Sequence, residues 1–130
     1  MSGRLIFEQK SRSQLRNHEL NALLIIQDYF SCDIICLCAS SHKSPDIKIK
    51  NETWELKSPI GDGAKTIENI LRKAETQSRN IILDFSRIKM DERQALSRTK
   101  YYLKNEKHHQ IKKLLIITKK HKIIDFNGEL

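Results

Sequence analysis

The sequence predicts a single α/β domain, a mixed central sheet flanked by helices in the order α-β-β-β-α-β-α-β-β. Short apolar runs of strand character alternate with segments whose apolar residues recur at helical spacing. The early strands follow one another with only a turn between them, while the later ones are separated by helices, so the sheet should be mixed rather than wholly parallel. The length of 130 residues, 38% hydrophobic and 31% charged, is enough for one core without covalent or metal staples.

Residues 13–30, SQLRNHELNALLIIQDYF, should form the first helix, with Leu15, Ala22, Ile26 and Tyr29 on one stripe. Glu19 falls on the same stripe. A carboxylate facing a core is costly unless it has a partner or lies at the stripe edge. Residues 33–40, DIICLCAS, read as a buried strand. In PDIKIK (45–50), Ile47 and Ile49 lie on one face, with Asp46, Lys48 and Lys50 on the other. In TWELK (53–57), Trp54 and Leu56 oppose Thr53, Glu55 and Lys57. Asn51 and Glu52 are expected to make the turn between these strands, which lays their polar faces side by side. After the loop SPIGDG, residues 64–78 should be a helix with Ile67, Ile70, Leu71 and Ala74 inward and Gln77 following on that face. NIILDFS (80–86) reads as a strand. Residues 91–106 read as a helix capped by Asp91, with Ala95, Thr99, Tyr102 and Leu103 inward. KLLIIT (113–118) and KIIDF (122–126) read as a hairpin joined by KKH. The whole chain is one domain, with its core at about residues 13–126.

No stretch approaches the ~20 apolar residues of a membrane span, so stable membrane association is not expected. The N-terminus MSGRLIFEQK has no signal-peptide apolar region. Cys32, Cys36 and Cys38 lie in one apolar segment and read as small buried hydrophobes. A structural zinc would need a fourth ligand such as His42. The net charge of +8 is concentrated: residues 87–122 carry 12 lysines and arginines against Asp91, Glu92 and Glu106, a local balance of +9. Such a patch points to nucleic acid, with an acidic protein or an anionic membrane as rivals. Only Tyr101 and Tyr102 interleave it, which favours phosphate contact over base stacking. Lys112, Lys113, Lys119, Lys120 and Lys122 are the expected substrate contacts.

The hairpin SPDIKIKNETWELKSP can be ordinary surface structure or a reaction centre. Two close carboxylates, Asp46 and Glu55, repel unless a cation lies between them. Mg²⁺ or Mn²⁺ is bound by one or two carboxylates plus phosphate and water, with Zn²⁺ a further option. Such a cation stabilises charge on a phosphate, and a neighbouring lysine can assist the water or the transition state. Asp46, Glu55 and Lys57 therefore match phosphodiester hydrolysis, with Glu19 able to complete the acidic set.

Pro45-Asp46 followed by Glu55-Leu56-Lys57 resembles the PD-(D/E)xK nuclease signature, and the order of elements from 13 to 85 is similar to that superfamily's core. The resemblance implies a divalent metal at Asp46, Glu55 and Leu56, with Lys57 assisting. The wider stretch from PDIKIKNETWELK to NIILDF, followed by IIT and KIIDF, resembles the C-terminal toxin domains of contact-dependent growth inhibition (CdiA-type) effectors and related polymorphic toxins. What that implies is an interbacterial toxin nuclease acting on RNA, most often tRNA. It would be the C-terminal part of a larger exported effector and would act in the target cell's cytoplasm. It would be a monomer held one-to-one by a cognate immunity protein. Some toxins of similar outline are metal-independent ribonucleases of the barnase/EndoU/colicin/RelE-like group. Here Lys57, Thr118 and Lys119 with His121 or His42 could supply such a site. A metal-dependent DNase and a noncatalytic nucleic-acid-binding module also stay open. Asp84 could add an acid or cap a turn; Gln77 and Ser58 could touch phosphate; His108 and His109 lie in a basic loop.

Overall fold

The computed structural model describes residues 3–8, 16–37 and 46–130. Leu15, Cys38, His42 and Pro45, with the first residues of the expected first helix and the last of the strand after it, lie outside the described residues. The elements are β1 (Leu5–Phe7), α1 (Asn17–Phe30), β2 (Ile34–Cys36), β3 (Ile47–Ile49), β4 (Glu52–Lys57), α2 (Thr66–Glu75), β5 (Asn80–Asp84), α3 (Glu92–Asn105), β6 (Lys113–Ile117) and β7 (Ile123–Asp125), with a 3₁₀ turn at Asn127–Glu129.

They form one seven-stranded mixed sheet whose strand order follows the sequence. Strands β4, β5 and β6 are mutually parallel; β3 and β7 run against their neighbours. The mixed α/β class is as expected, with an additional strand in front: Leu5-Ile6-Phe7 pairs in parallel with Ile34-Ile35-Cys36. The chain therefore begins β-α rather than α. Three residues are too short to show a period, and a parallel pair across a helix leaves no local turn signal.

The helices divide between the faces. Ala22, Leu23 and Ile26 of α1 pack with Ile34, Ile47, Ile49, Trp54, Ile82 and Ile117 on one side. Ile67, Leu71 and Ala74 of α2 pack with Ala95, Tyr102 and Leu103 of α3 over Ile81, Leu83, Leu114 and Ile116 on the other. Strand alternation accounts for both sets: Ile82 belongs to the first core and its neighbours Ile81 and Leu83 to the second. The expected inner stripe of α3, Ala95, Thr99, Tyr102 and Leu103, is buried throughout. Asp91 takes the cap position of that helix, but its side chain makes no capping hydrogen bond. Tyr29, expected on the inner stripe of α1, is 46% exposed, and Leu23 is buried in its place. In the last turn it is Phe30, not Tyr29, that turns inward and packs edge-on against Trp54.

The β3–β4 turn is Lys50–Asn51, one residue earlier than expected. Both have positive φ, 49° and 69°, as in the turns whose twist matches a two-residue hairpin. Glu52 is thereby drawn into β4, opposite Ile49. Among the described residues no helix is long and apolar enough to cross a membrane.

Candidate active site

Strand pairing brings the hairpin's charged residues together. Ile47 lies opposite Trp54, so the same register places Asp46, at the mouth of β3, beside Glu55. The Leu56 N–H donates to Asp46 Oδ2 at 3.1 Å, and the Asp46 N–H donates to the Trp54 carbonyl at 3.1 Å. Lys57 Nζ lies 2.9 Å from Glu55 Oε2. Glu55 pairs with Ile81 and Lys57 with Leu83. Both therefore leave the sheet on the side of α2 and α3, while Trp54 and Leu56 face α1.

Glu55 is the unusual member. Only 1% of it is exposed, and its Oε1 has no hydrogen-bond partner. Burial, and then the neighbouring Asp46 charge, push its carboxyl up to about 7 against the opposing pull of Lys57. Asp46 is raised as well, chiefly by burial and further by the Glu19 charge, while the Leu56 N–H and Lys57 pull the other way. Two carboxyls held close at low dielectric do not both ionise readily without added positive charge. A divalent cation fits this need: Asp46 and Glu55 are hard oxygen donors, and one buried oxygen is unsatisfied. Among the described residues no group of three or more His, Cys, Asp and Glu could hold a metal ion. A cation here would therefore rest on the acidic pair, the Leu56 main chain and water.

The other expected residues are distributed around this centre. Glu19 is half-buried near the start of α1. Its Oε1 accepts the Arg16 N–H at 2.9 Å, and its charge acts on Asp46. It thus caps its own helix and adds to the local negative field. Asp84 is buried at the end of β5 and accepts the Ser86 N–H at 3.0 Å. It shares the face of Ile82, away from Glu55, and stabilises the turn. Gln77 lies in the turn beyond α2 rather than on it. Two residues on either side of Arg79, Ser78 and Asn80, donate side-chain hydrogen bonds to the Thr53 carbonyl, each at 3.0 Å. That anchors this turn at the opening of β4, toward the end of the sheet away from Lys57. Ser58 follows Lys57 half-buried.

Of the metal-independent alternative, Thr118, Lys119 and His121 share the β6–β7 turn, while His42 lies outside the described residues. The Thr118 hydroxyl is buried and accepts the Lys122 N–H at 3.1 Å, closing the β6–β7 turn. Strand β5 stands between Thr118 and Lys57, a separation of about 10 Å. His121 is exposed in the same turn at φ 64°. The expected substrate lysines are also split. Lys119, Lys120 and Lys122 stand at the carboxyl edge of β4–β6 with Lys57, whereas Lys112 and Lys113 open β6 at the amino edge. Lys113 is paired there with Glu52 at 2.6 Å. His109, also at that edge, accepts the Ile111 N–H at 3.2 Å, with His108 exposed beside it. Cys36 is buried, which pushes its thiol up to about 11, as a core cysteine would be; Cys32 is half-buried.

Two cations missing from the sequence-based list stand at the carboxyl edge. Arg87 follows Asp84 by three residues, and Lys89 donates its N–H to the Ile60 carbonyl at 3.2 Å, next to the Lys57 loop. Their only sequence signal was membership of the basic region.

Fold and site together define a small α/β domain with an acidic pair, Glu55 buried and Asp46 half-buried, and a lysine at one edge of a mixed sheet. The family model of the contact-dependent growth inhibition CdiA C-terminal domain matches residues 43–123, more than half of the chain, and the chain belongs to that family. Its fold is similar to a solved structure described as a CdiA-CT/CdiI toxin and immunity complex from Burkholderia pseudomallei. The TM-score is 0.61 at 13% identity, over 95% of this chain and 98% of that one. No curated protein sequence matches the chain.

Proposed function

We propose that the domain is the nuclease toxin of a contact-dependent growth inhibition effector, that it hydrolyses phosphodiester bonds in RNA with tRNA as the favoured target, and that Asp46, Glu55 and Lys57 form its active centre. The observation that carries this reading is Glu55: a buried carboxylate with one unpartnered oxygen, held between an acid and a lysine. A stable fold gains little from such a group, because a buried carboxylate with one oxygen unsatisfied costs free energy even when the other is ion-paired. PD-(D/E)xK-like chemistry accounts for it.

In this reading Asp46 and Glu55, with the Leu56 main chain, hold a divalent cation, which would supply charge neutralisation at the phosphate and a more acidic water. The Leu56 N–H fixes the Asp46 carboxylate. Lys57 holds Glu55 in its rotamer and presents its ammonium toward developing negative charge on the phosphate. Lys119, Lys120 and Lys122, at the same edge, contact the substrate backbone. The commitment of Thr118 to its turn favours this chemistry over the metal-independent set. By analogy with the family and the similar complex, the domain is delivered as the C-terminal part of a larger effector and is neutralised in its producer by an immunity protein.

The test is cleavage of bulk bacterial tRNA and of plasmid DNA by the purified chain in Mg²⁺, in Mn²⁺ and in EDTA, beside Asp46→Ala. The expected result is tRNA fragmentation that needs the metal and is lost in the variant. Intact tRNA and DNA under all conditions would overturn the nuclease reading. Cleavage that persists in EDTA would transfer it to the metal-independent class, and cleavage of plasmid alone to a DNase.

A further inference from the structure

We infer that Arg87, oriented by His18, is a phosphate-binding residue beside the Asp46–Glu55–Lys57 centre. The inference rests on the nuclease reading for its substrate, but its geometry is independent of it. Arg87 and His18 are 69 residues apart, yet Arg87 Nη2 lies 3.2 Å from His18 Nε2. A guanidinium carries five N–H donors and no acceptor, so the imidazole nitrogen must accept.

This contact uses one guanidinium N–H and neutralises none of its charge. Arg98 and Lys113 are ion-paired with Glu68 and Glu52, whereas Arg87 has no carboxylate partner among the described residues. An exposed arginine held by a histidine, with no further side-chain partner among the described residues, has the geometry for bidentate phosphate binding.

The position is also appropriate. The 85–90 segment follows the carboxyl end of β5, the strand adjacent to β4. It is tied to the loop after Lys57 by the Lys89 N–H to the Ile60 carbonyl, 3.2 Å, and the Met90 N–H to the Gly61 carbonyl, 3.4 Å. On its other side, His18 is followed in α1 by Glu19, whose charge acts on Asp46. Arg87 therefore stands between the loop that follows Lys57 and the first turn of α1. A nucleic acid whose scissile phosphate reaches Asp46 and Glu55 would carry a neighbouring phosphate past this guanidinium. His18 acts through Arg87 and is a positioning residue.

The experiment measures steady-state cleavage of bulk tRNA in Mg²⁺, and tRNA binding in EDTA across a salt series, for wild type, Arg87→Ala, Arg87→Lys, His18→Ala and His18→Gln. Arg87→Ala should raise KM at least tenfold with kcat within about threefold, in keeping with the strength of a charge-assisted hydrogen bond. It should also reduce the slope of log K against log salt by about one. Arg87→Lys should recover only part, since the bidentate fork is lost. His18→Gln, which keeps an acceptor, should stay within about twofold, while His18→Ala raises KM and leaves the salt slope near wild type. An active wild type with KM and slope unchanged in Arg87→Ala would overturn this inference and leave the nuclease reading standing. If wild type cleaves nothing but Arg87→Ala still weakens tRNA binding in EDTA, the nuclease reading fails and the phosphate site is retained. No cleavage with equal binding would overturn both.

Discussion

The two edges of the parallel strands β4–β6 handle charge in opposite ways. At the amino edge the half-buried Glu75 has both oxygens satisfied and the exposed Glu52 is ion-paired. Glu75 accepts the Tyr102 hydroxyl with one oxygen and the Gln110 N–H, at 2.7 Å, with the other. Glu52 holds Lys113. The Leu114 N–H donates to the Asn127 side chain at 2.8 Å. At the carboxyl edge Glu55 is deeper than any of these and keeps one oxygen unpartnered, while Arg87 meets His18 and has no carboxylate partner among the described residues. Satisfied polar groups stabilise a fold; unsatisfied ones cost stability and are retained where they meet a ligand. The contrast holds for the carboxylates, not for every polar group: Asn80 Oδ1 at the amino edge is also buried without a partner among the described residues, and under the proposed function the carboxyl edge is the one that serves chemistry.

This contrast is tested most severely by Glu55→Gln. Cleavage should fall at least a hundredfold, the scale of losing a preorganised charged group at a reacting phosphate. Stability should move the other way. The folded Glu55 carboxyl sits at about 7, above its ordinary value of 4.5. Folding thus favours the protonated form, and the stability this confers is present below about pH 4.5 and lost as pH rises through about 7. In EDTA the wild type should lose at most about 3 kcal/mol from this group over that window. Glu55→Gln should lack that component and melt several degrees higher than wild type at pH 8, by calorimetry. Equal melting at pH 8, with parallel pH profiles, would mean that Glu55 is not strained by its burial.

A smaller effect, with activity and stability reversed, belongs to Glu75→Ala. The Tyr102 hydroxyl and the Gln110 N–H lose their acceptor, for about 1–3 kcal/mol by urea denaturation. The kcat of the folded fraction should stay within twofold. A selective loss of kcat would show that the amino edge also serves the reaction. Lys113→Ala should do least. Its ion pair with Glu52 is largely exposed, so the change should be under about 1 kcal/mol. With the lysine at the far edge, cleavage should be unchanged. A tenfold fall would return Lys113, and Lys112 with it, to the substrate path.

Much of this was legible in the sequence, for reasons that are local. Period-two alternation in 46–50 and 53–57 is a property of an extended chain, and it placed Asp46, Glu55 and Lys57 on one side before any fold was known. The helical period did the same for Ala95, Thr99, Tyr102 and Leu103. The sequence by itself therefore determined the fold class, most elements and the composition of the candidate site. Tertiary structure alone decided whether those charges face water or protein. That depends on α2 and α3 closing over Ile81 and Leu83, contacts with no signal in the hairpin itself. It also divided the lysines of the basic region between two edges, because α3 and β6 carry the chain across the sheet and back. And it brought Arg87 to His18, since a contact across 69 residues depends on how two helical crossovers pack, not on any period within either segment.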